Sequence, residues 1–265
     1  VVTHHHHLDP SPLNPLIERR VIEASDCVIT DSQFAKRQLA EELRARTEHV
    51  EVVYCGVGQK FVPLPKDPDL ARRWGIEGKR VLLCLGPLIK RKNPSFLLQA
   101  FVEIRRAAGD QVALVWVGSG PLRRELEVSV RRLGLEGAVV FTGYVPEAQK
   151  VAALNLADVF VFPSLLEGFP LAPQEAMSCG KPVVAFRVAS LSEMVEDGVS
   201  GFLVEPNNRA AFVESVLRLL REPELRARFG AEASKRVDRH FRWDLTVRQV
   251  LKIYQQVVDE FRARG

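Results

Sequence analysis

With 265 residues, 46% of them hydrophobic, the chain can bury the core of one large domain or two modest ones. Its formal net charge of +4 is small for this length and gives no argument for nucleic acid; it suits an anionic small ligand or an anionic lipid surface equally well. Cys27, Cys55, Cys84 and Cys179 are scattered, without a C-x-x-C pair or a histidine at ligand spacing, which argues against a disulfide framework or zinc site and for a reducing cytosolic compartment.

No apolar run approaches the roughly 20 residues of a membrane-spanning helix. The sequence opens on "VVTHHHH" without a methionine, so the lack of a visible leader carries little weight. Short β-branched runs then alternate with helical patterns: "CVIT" (27–30), "VEVVY" (50–54), "RVLLCLG" (80–86), "VALVWVG" (112–118), "VVFTG" (139–143), "VFVFPS" (159–164), "PVVAF" (182–186) and "GFLV" (201–204). Continuous apolar runs separated by amphipathic helices are what a parallel sheet covered on both faces requires, so the expected class is α/β, doubly wound.

At residues 59–75 the alternation breaks, because Pro63, Pro65 and Pro68 crowd a stretch expected to hold no regular element. The six strands after it make a complete Rossmann-like sheet; the two or three before it look like the end of another. The expected divisions are 1–58 for a partial first domain, 59–75 for a linker, 76–240 for the complete domain and 241–265 for a terminal helix packing back on the first. From Asn207 onward the pattern is helical.

Open α/β sheets bind ligands beyond the carboxyl ends of their strands, so the loops there carry the functional reading. After "VLLCLG" stand Lys90, Arg91 and Lys92, ahead of a helix starting near Asn93 or Pro94: a phosphate site if they converge, a solvated basic turn if they do not. "SGPLRRELE" reads as a glycine turn with Pro121 at the first helical position, a weak signal in any α/β fold. In "FPSLLEGFPLAPQEAMSCG" the strand gives way to a loop and a helix, with Pro170 and Pro173 confined to the first turn and Gly180 as the stop.

Glu167 then lies at the strand's carboxyl end and Glu175 about a turn into the helix, both facing one crevice. A glutamate early in a helix commonly serves only the helix dipole. Glu167, in an apolar and glycine-bearing loop, wants hydroxyl or amide donors of the kind a sugar or ribose offers, and the helix start offers amides to a diphosphate. Sugar, ribose and diphosphate together are a nucleotide sugar.

The strings "ASDCVITDSQFAKRQL", "VEVVYCGV", "LGPLIKRKNPSFLLQAF", "LVWVGSGPLRREL", "VVFTGYVP", "ADVFVFPSLLEGFPLAPQEAMSCGKPVVAF" and "LSEMVEDGVSGFLVEP" resemble the retaining glycosyltransferases of family 4, which have the two-Rossmann GT-B fold. The resemblance implies hexosyl transfer from a uridine- or guanosine-diphosphate sugar to an acceptor hydroxyl, on a sugar, a lipid-linked or another acceptor. It implies Glu175 on the donor ribose, Glu167 on the donor sugar, Lys92 (with Gly86 and Arg91 nearby) on the diphosphate, and backbone at Gly168, Phe169 and Leu171 beside sugar and phosphates. It also places the base near Gly143, Tyr144 and Val145, and a histidine at the donor sugar, best matched by His5 with His4 or His6 as alternatives. A purification-tag remnant is the plain alternative for the histidines.

No cofactor or metal is expected, and no nucleic acid. The expected location is cytoplasmic, with peripheral contact to the cytoplasmic membrane face as a further expectation. Pro87 stands where the family commonly has arginine, Cys55 where asparagine is usual, and "RVAS" (187–190) where paired glycines precede the helix carrying Glu193, which matches a family acid. The acceptor side is only partly present, so the chain reads as part of a longer enzyme. The alternatives are a donor-binding module without turnover and, ranked lower, a nucleotide sugar epimerase of the same fold.

Overall fold

The computed structural model describes residues 2–5 and 14–264, with side chains described from residue 16 onward. Three short parallel strands, β1 (Val2–His5), β2 (Cys27–Thr30) and β3 (Val50–Val52), pair in the order β1-β2-β3. Helices α1 (Asn14–Ala24) and α2 (Gln33–Glu41) connect them, and one face of the sheet packs Val28 and Val50 with Ile22 and Leu39.

A larger sheet follows from β4 (Arg80–Leu85), β5 (Val112–Val117), β6 (Val139–Gly143), β7 (Val159–Phe162), β8 (Val183–Phe186) and β9 (Gly201–Val204). All six are parallel in the order β6-β5-β4-β7-β8-β9, the doubly wound topology expected from the sequence. Every residue of β5 is buried, because helices cover both faces and leave no polar side to the strand. The interleaved helices are α4 (Pro94–Ala108), α5 (Arg123–Arg132), α6 (Glu147–Leu156), α7 (Leu171–Ser178) and α8 (Leu191–Met194), with α9 (Arg209–Arg221) and α10 (Pro223–His240) after the last strand. Helix α4 buries Phe96, Leu97, Ala100, Phe101 and Ile104, a three-and-four spacing that turns one stripe to the sheet. Phe96, Phe186 and Phe212 lock α4, β8 and α9 with ring centroids 4.9 to 5.9 Å apart.

Two sequence expectations are corrected. The stretch 59–75 contains a helix, α3 (Pro68–Arg73): Asp67 accepts from the amides of Asp69 and Leu70, and Pro68 takes the first helical position, where its missing N–H costs nothing. Phe61 and Leu70 are buried in the main core, so the stretch packs as well as connects. Helix α5 starts at Arg123, and Pro121 lies ahead of it in the turn.

Glycines let the loops after β4, β5 and β6 converge. A Cβ on Gly118 would stand 2.1 Å from the Gly86 carbonyl oxygen, and the Gly118 amide donates to Gly143 at 2.9 Å. The terminal helix α11 (Trp243–Arg264) lies on the three-stranded sheet, where Ile253 packs with Cys27, Ile29 and Val53. Thr246 Oγ1 donates to the Tyr54 carbonyl at 2.7 Å, and the Val57 amide to that of Phe241 at 2.7 Å.

The two sheets also meet through one carboxylate. Glu193 in α8 accepts from the amides of Gln33 at 2.8 Å and Phe34 at 2.7 Å, the first two of α2, and from the Tyr54 hydroxyl at 3.1 Å. Ser32 takes the next free amide, that of Ala35, so these three amides at the start of α2 are satisfied by side chains and its dipole faces an anion. Burial first, and then the Glu193 charge, push the Tyr54 phenol up to about 12. Glu193→Ala is expected to destabilise the chain by about 1 to 3 kcal/mol and to speed exchange of the Gln33 and Phe34 amides. Urea unfolding with amide exchange checks this; unchanged values in both would show that the contact joins nothing.

Candidate functional site

In the large sheet the connections leave in opposite directions from β4 and β7, which are neighbours. The carboxyl ends of two such strands open into a crevice that no crossover covers. After β4 the chain passes Gly86 and Pro87 into a 3-10 turn, Lys90–Lys92, and then through Asn93, in the left-handed region at φ 55°, into α4. After β7 it runs through residues 163–170 to α7.

These two segments are tied together. The Leu165 amide and Ser164 Oγ donate to the Arg91 carbonyl at 2.9 and 3.1 Å, and Arg91 Nη1 donates back to the Leu166 carbonyl at 2.7 Å. Within this frame Lys92 Nζ lies 2.6 Å from Glu167 Oε1, Ser164 Oγ donates to that same oxygen, and Arg91 Nη1 reaches Oε2 at 3.1 Å. Lys92 and Glu167 are 8% and 5% exposed, so the pair is cut off from the solvent that usually screens such contacts. Two cations and a hydroxyl face one carboxylate, which leaves the crevice with surplus positive charge.

Lys92 passes beside Gly86, whose φ of 147° is a backbone conformation that favours glycine, while a Cβ there would only touch the Lys92 Cε at 3.4 Å, an ordinary contact. The ammonium then lies 4.6 Å from the centroid of Phe162, the last residue of β7, a cation over an aromatic face. Lys90 and Pro87 are exposed, so of the three basic residues read from the sequence Arg91 and Lys92 enter the buried network.

Helix α7 begins at Leu171, and Pro170 before it offers no side-chain cap, which leaves its first amides for another partner. Leu171 itself is 48% exposed. The Gly168 carbonyl accepts from Ser190 Oγ, at the start of α8, and Phe169 stacks on Tyr54 with ring centroids 5.3 Å apart. The loop bearing Glu167 is thereby held from β4, from α8 and from Tyr54, just beyond β3.

Glu175 is 8% exposed and has its own cation, Lys150 of α6, whose Nζ lies 2.6 Å from Oε1. The two glutamates therefore do not share a partner. Burial pushes the Glu175 carboxyl up from the ordinary range, and the Lys150 hydrogen bond and charge pull it back. In the loop between β6 and α6, Tyr144 is 85% exposed, whereas Gly143 is buried and Val145 belongs to the main core. His4 and His5 lie within β1, His5 in register with Thr30; His6 falls outside the described residues. Among the described residues no three His, Cys, Asp or Glu side chains group as a metal site would require.

Sequence reasoning missed Lys150, Ser164, Ser190 and Tyr54. Ser164 had a signal, being three residues before Glu167 at a strand end. The others come from elements remote in sequence, and no spacing announces them.

Removing one member of a buried ion pair strands the other, which costs about 3 to 5 kcal/mol in comparable cases. Glu167→Ala is therefore expected to lower unfolding free energy by that order, and the double change Glu167→Leu with Lys92→Met to recover most of it. Denaturant unfolding of the three proteins checks this; a single variant as stable as the wild type would mean that the pair is not buried in solution.

Comparison with known proteins places these residues in a family. The model described as glycosyl transferases group 1 matches residues 67–236. A D-inositol 3-phosphate glycosyltransferase of Acidothermus cellulolyticus is 33% identical over 265 residues, covering 96% of this chain and 58% of its own length. A GDP-mannose-dependent alpha-(1-6)-phosphatidylinositol monomannoside mannosyltransferase of Mycolicibacterium smegmatis is 32% identical over 244 residues, covering 86% of this chain and 62% of its own. The chain thus spans less than two thirds of either relative. The crystal structure of HepE from Anabaena in complex with UDP superposes with a TM-score of 0.85 at 25% identity, covering 99% of this chain and 72% of that one.

Proposed function

The chain belongs to the group 1 glycosyltransferases, with the GT-B fold, and from that premise we propose that it carries the donor site of an enzyme moving a hexosyl group from a uridine- or guanosine-diphosphate sugar to an acceptor hydroxyl, with retention. The observation that carries this reading is the buried Lys92–Glu167 pair at the switch point of the sheet. HepE, a structural relative, is recorded in complex with UDP, and one sequence relative is named for GDP-mannose; these support a nucleotide diphosphate donor.

In the proposed arrangement the diphosphate lies between the 3-10 turn and the start of α7. The Lys92 ammonium has three donors and spends one on Glu167; with the uncapped α7 amides it offsets the charge that builds on the leaving diphosphate. Glu167 holds sugar hydroxyls, Glu175 the ribose, the backbone at Gly168, Phe169 and Leu171 flanks sugar and phosphates, and Tyr144 borders the base. His5 is assigned to the donor sugar. In the transfer the bond from the anomeric carbon to the diphosphate oxygen breaks, and the acceptor oxygen bonds that carbon on the same face. The acceptor proton passes to the departing phosphate oxygen, while Lys92 and the α7 amides take the charge-offsetting part that a metal could otherwise play.

Two outcomes test this. Uridine or guanosine diphosphate at about 100 times its dissociation constant is expected to stabilise the chain by about 2.7 kcal/mol without added metal, read by thermal unfolding. Stabilisation by neither nucleotide, or only with magnesium, would overturn the donor site as described. In an enzyme with the acceptor side complete, Glu175→Ala should raise the donor KM, since a ribose contact is alike in ground and transition states. Glu167→Gln, which keeps the volume beside Lys92, should lower kcat by about tenfold to a hundredfold. Equal effects of both changes on KM alone would contradict the division of roles.

A further inference from the structure

The two buried glutamates are satisfied to different degrees. Both oxygens of Glu167 accept hydrogen bonds. Glu175 accepts one, from Lys150 on Oε1; among the described residues no group donates to Oε2. That oxygen is not among the sealed polar atoms without a partner, so it opens to solvent. A buried carboxylate has capacity for about four hydrogen bonds and is costly to leave with one.

Lys150 is placed to matter. It belongs to the first turn of α6, directly after the loop with Tyr144, and its Nζ lies 4.8 Å from the Phe61 ring centroid. Lys60, 5.7 Å from the same ring, pairs outside with Glu147 at 2.5 Å, so the hydrogen-bonding partner of Glu147 is Lys60, with Lys150 acting on it only through charge. The inner pair is the shielded one, with side chains 23% and 10% exposed.

We infer that Lys150 is a positioning residue of the donor site: by engaging Glu175 Oε1 it turns the carboxylate so that Oε2 is presented to a ribose hydroxyl. The inference rests on Glu175 being the ribose ligand. An ionised carboxylate accepts from a hydroxyl at either oxygen, whereas a protonated one holds a hydrogen on one of them and binds a diol less well. Burial, the largest influence, favours the protonated form; of the charged groups facing Glu175, Lys150 opposes it most, Glu147 adds to it and Lys60 lowers it. Lys150 is then the main group that limits the rise. Without it the Glu175 proton is retained to higher pH, and the form that binds ribose is lost sooner on acidification.

The test uses this chain, with uridine diphosphate and guanosine diphosphate as probes, titrated calorimetrically between about pH 5 and 8. The nucleotide's own phosphate titration is common to all proteins and cancels in the ratio of variant to wild type. For Lys150→Met and Lys150→Gln the expected result is about tenfold weaker binding near neutrality. The deficit should narrow toward high pH, and the acid limb should be displaced upward. Lys150→Arg should restore both features, and Glu175→Gln should bind weakly with no such limb. Binding by Lys150→Met and Lys150→Gln that matches the wild type, or that is weaker by a constant factor at every pH, would overturn the inference while leaving the donor site intact. Failure of the wild type to bind either nucleotide would overturn the donor reading and the inference with it.

Discussion

The Lys92–Glu167 ion pair fixes the site, because it ties together the loops after the two central strands from which the connections leave in opposite directions. A carboxylate and an ammonium removed from water are tolerated only with close geometry and further hydrogen bonds. Here Ser164, Arg91 and the backbone of residues 165 and 166 supply them. The loop after β7 cannot shift without breaking this network, and α7 begins directly from that loop. The same contacts set where a diphosphate would find cations and amides together.

From that centre the structure extends in two directions. Toward the three-stranded sheet, the loop carrying Glu167 touches Tyr54 through Phe169 and α8 through the Gly168 carbonyl, while Tyr54 and α8 meet again where the hydroxyl bonds Glu193. Glu193 then caps α2. The loop carrying Glu167 and helix α2 of the smaller sheet are thus neighbours through one carboxylate and one aromatic stack. Toward α6, Glu175 and Lys150 form a second charged pair, less saturated than the first.

Much of this was legible in the sequence, for physical reasons. Parallel strands buried on both faces read as unbroken apolar runs, so "VLLCL" and "VFVF" stand out in the sequence, and the loops after them carry Lys92 and Glu167. Proline misled in two places. In sequence Pro68 resembles a break, yet it opens α3 behind the Asp67 cap, and Pro121 resembles a helix start, yet the turn runs on to Arg123. What stayed hidden was pairing at a distance. Lys150 and Glu175 are 25 positions apart on different helices, and Glu193 and Gln33 are 160 apart. A local pattern reports which face a residue takes and nothing of what faces it across a crevice.

The most direct measurement is a crystal structure of the chain with uridine or guanosine diphosphate bound. The diphosphate is expected within hydrogen-bonding distance of Lys92 Nζ and of the first amides of α7, with ribose hydroxyls on Glu175. A nucleotide held elsewhere on the molecule, with the crevice between β4 and β7 still closed around Lys92 and Glu167, would contradict it.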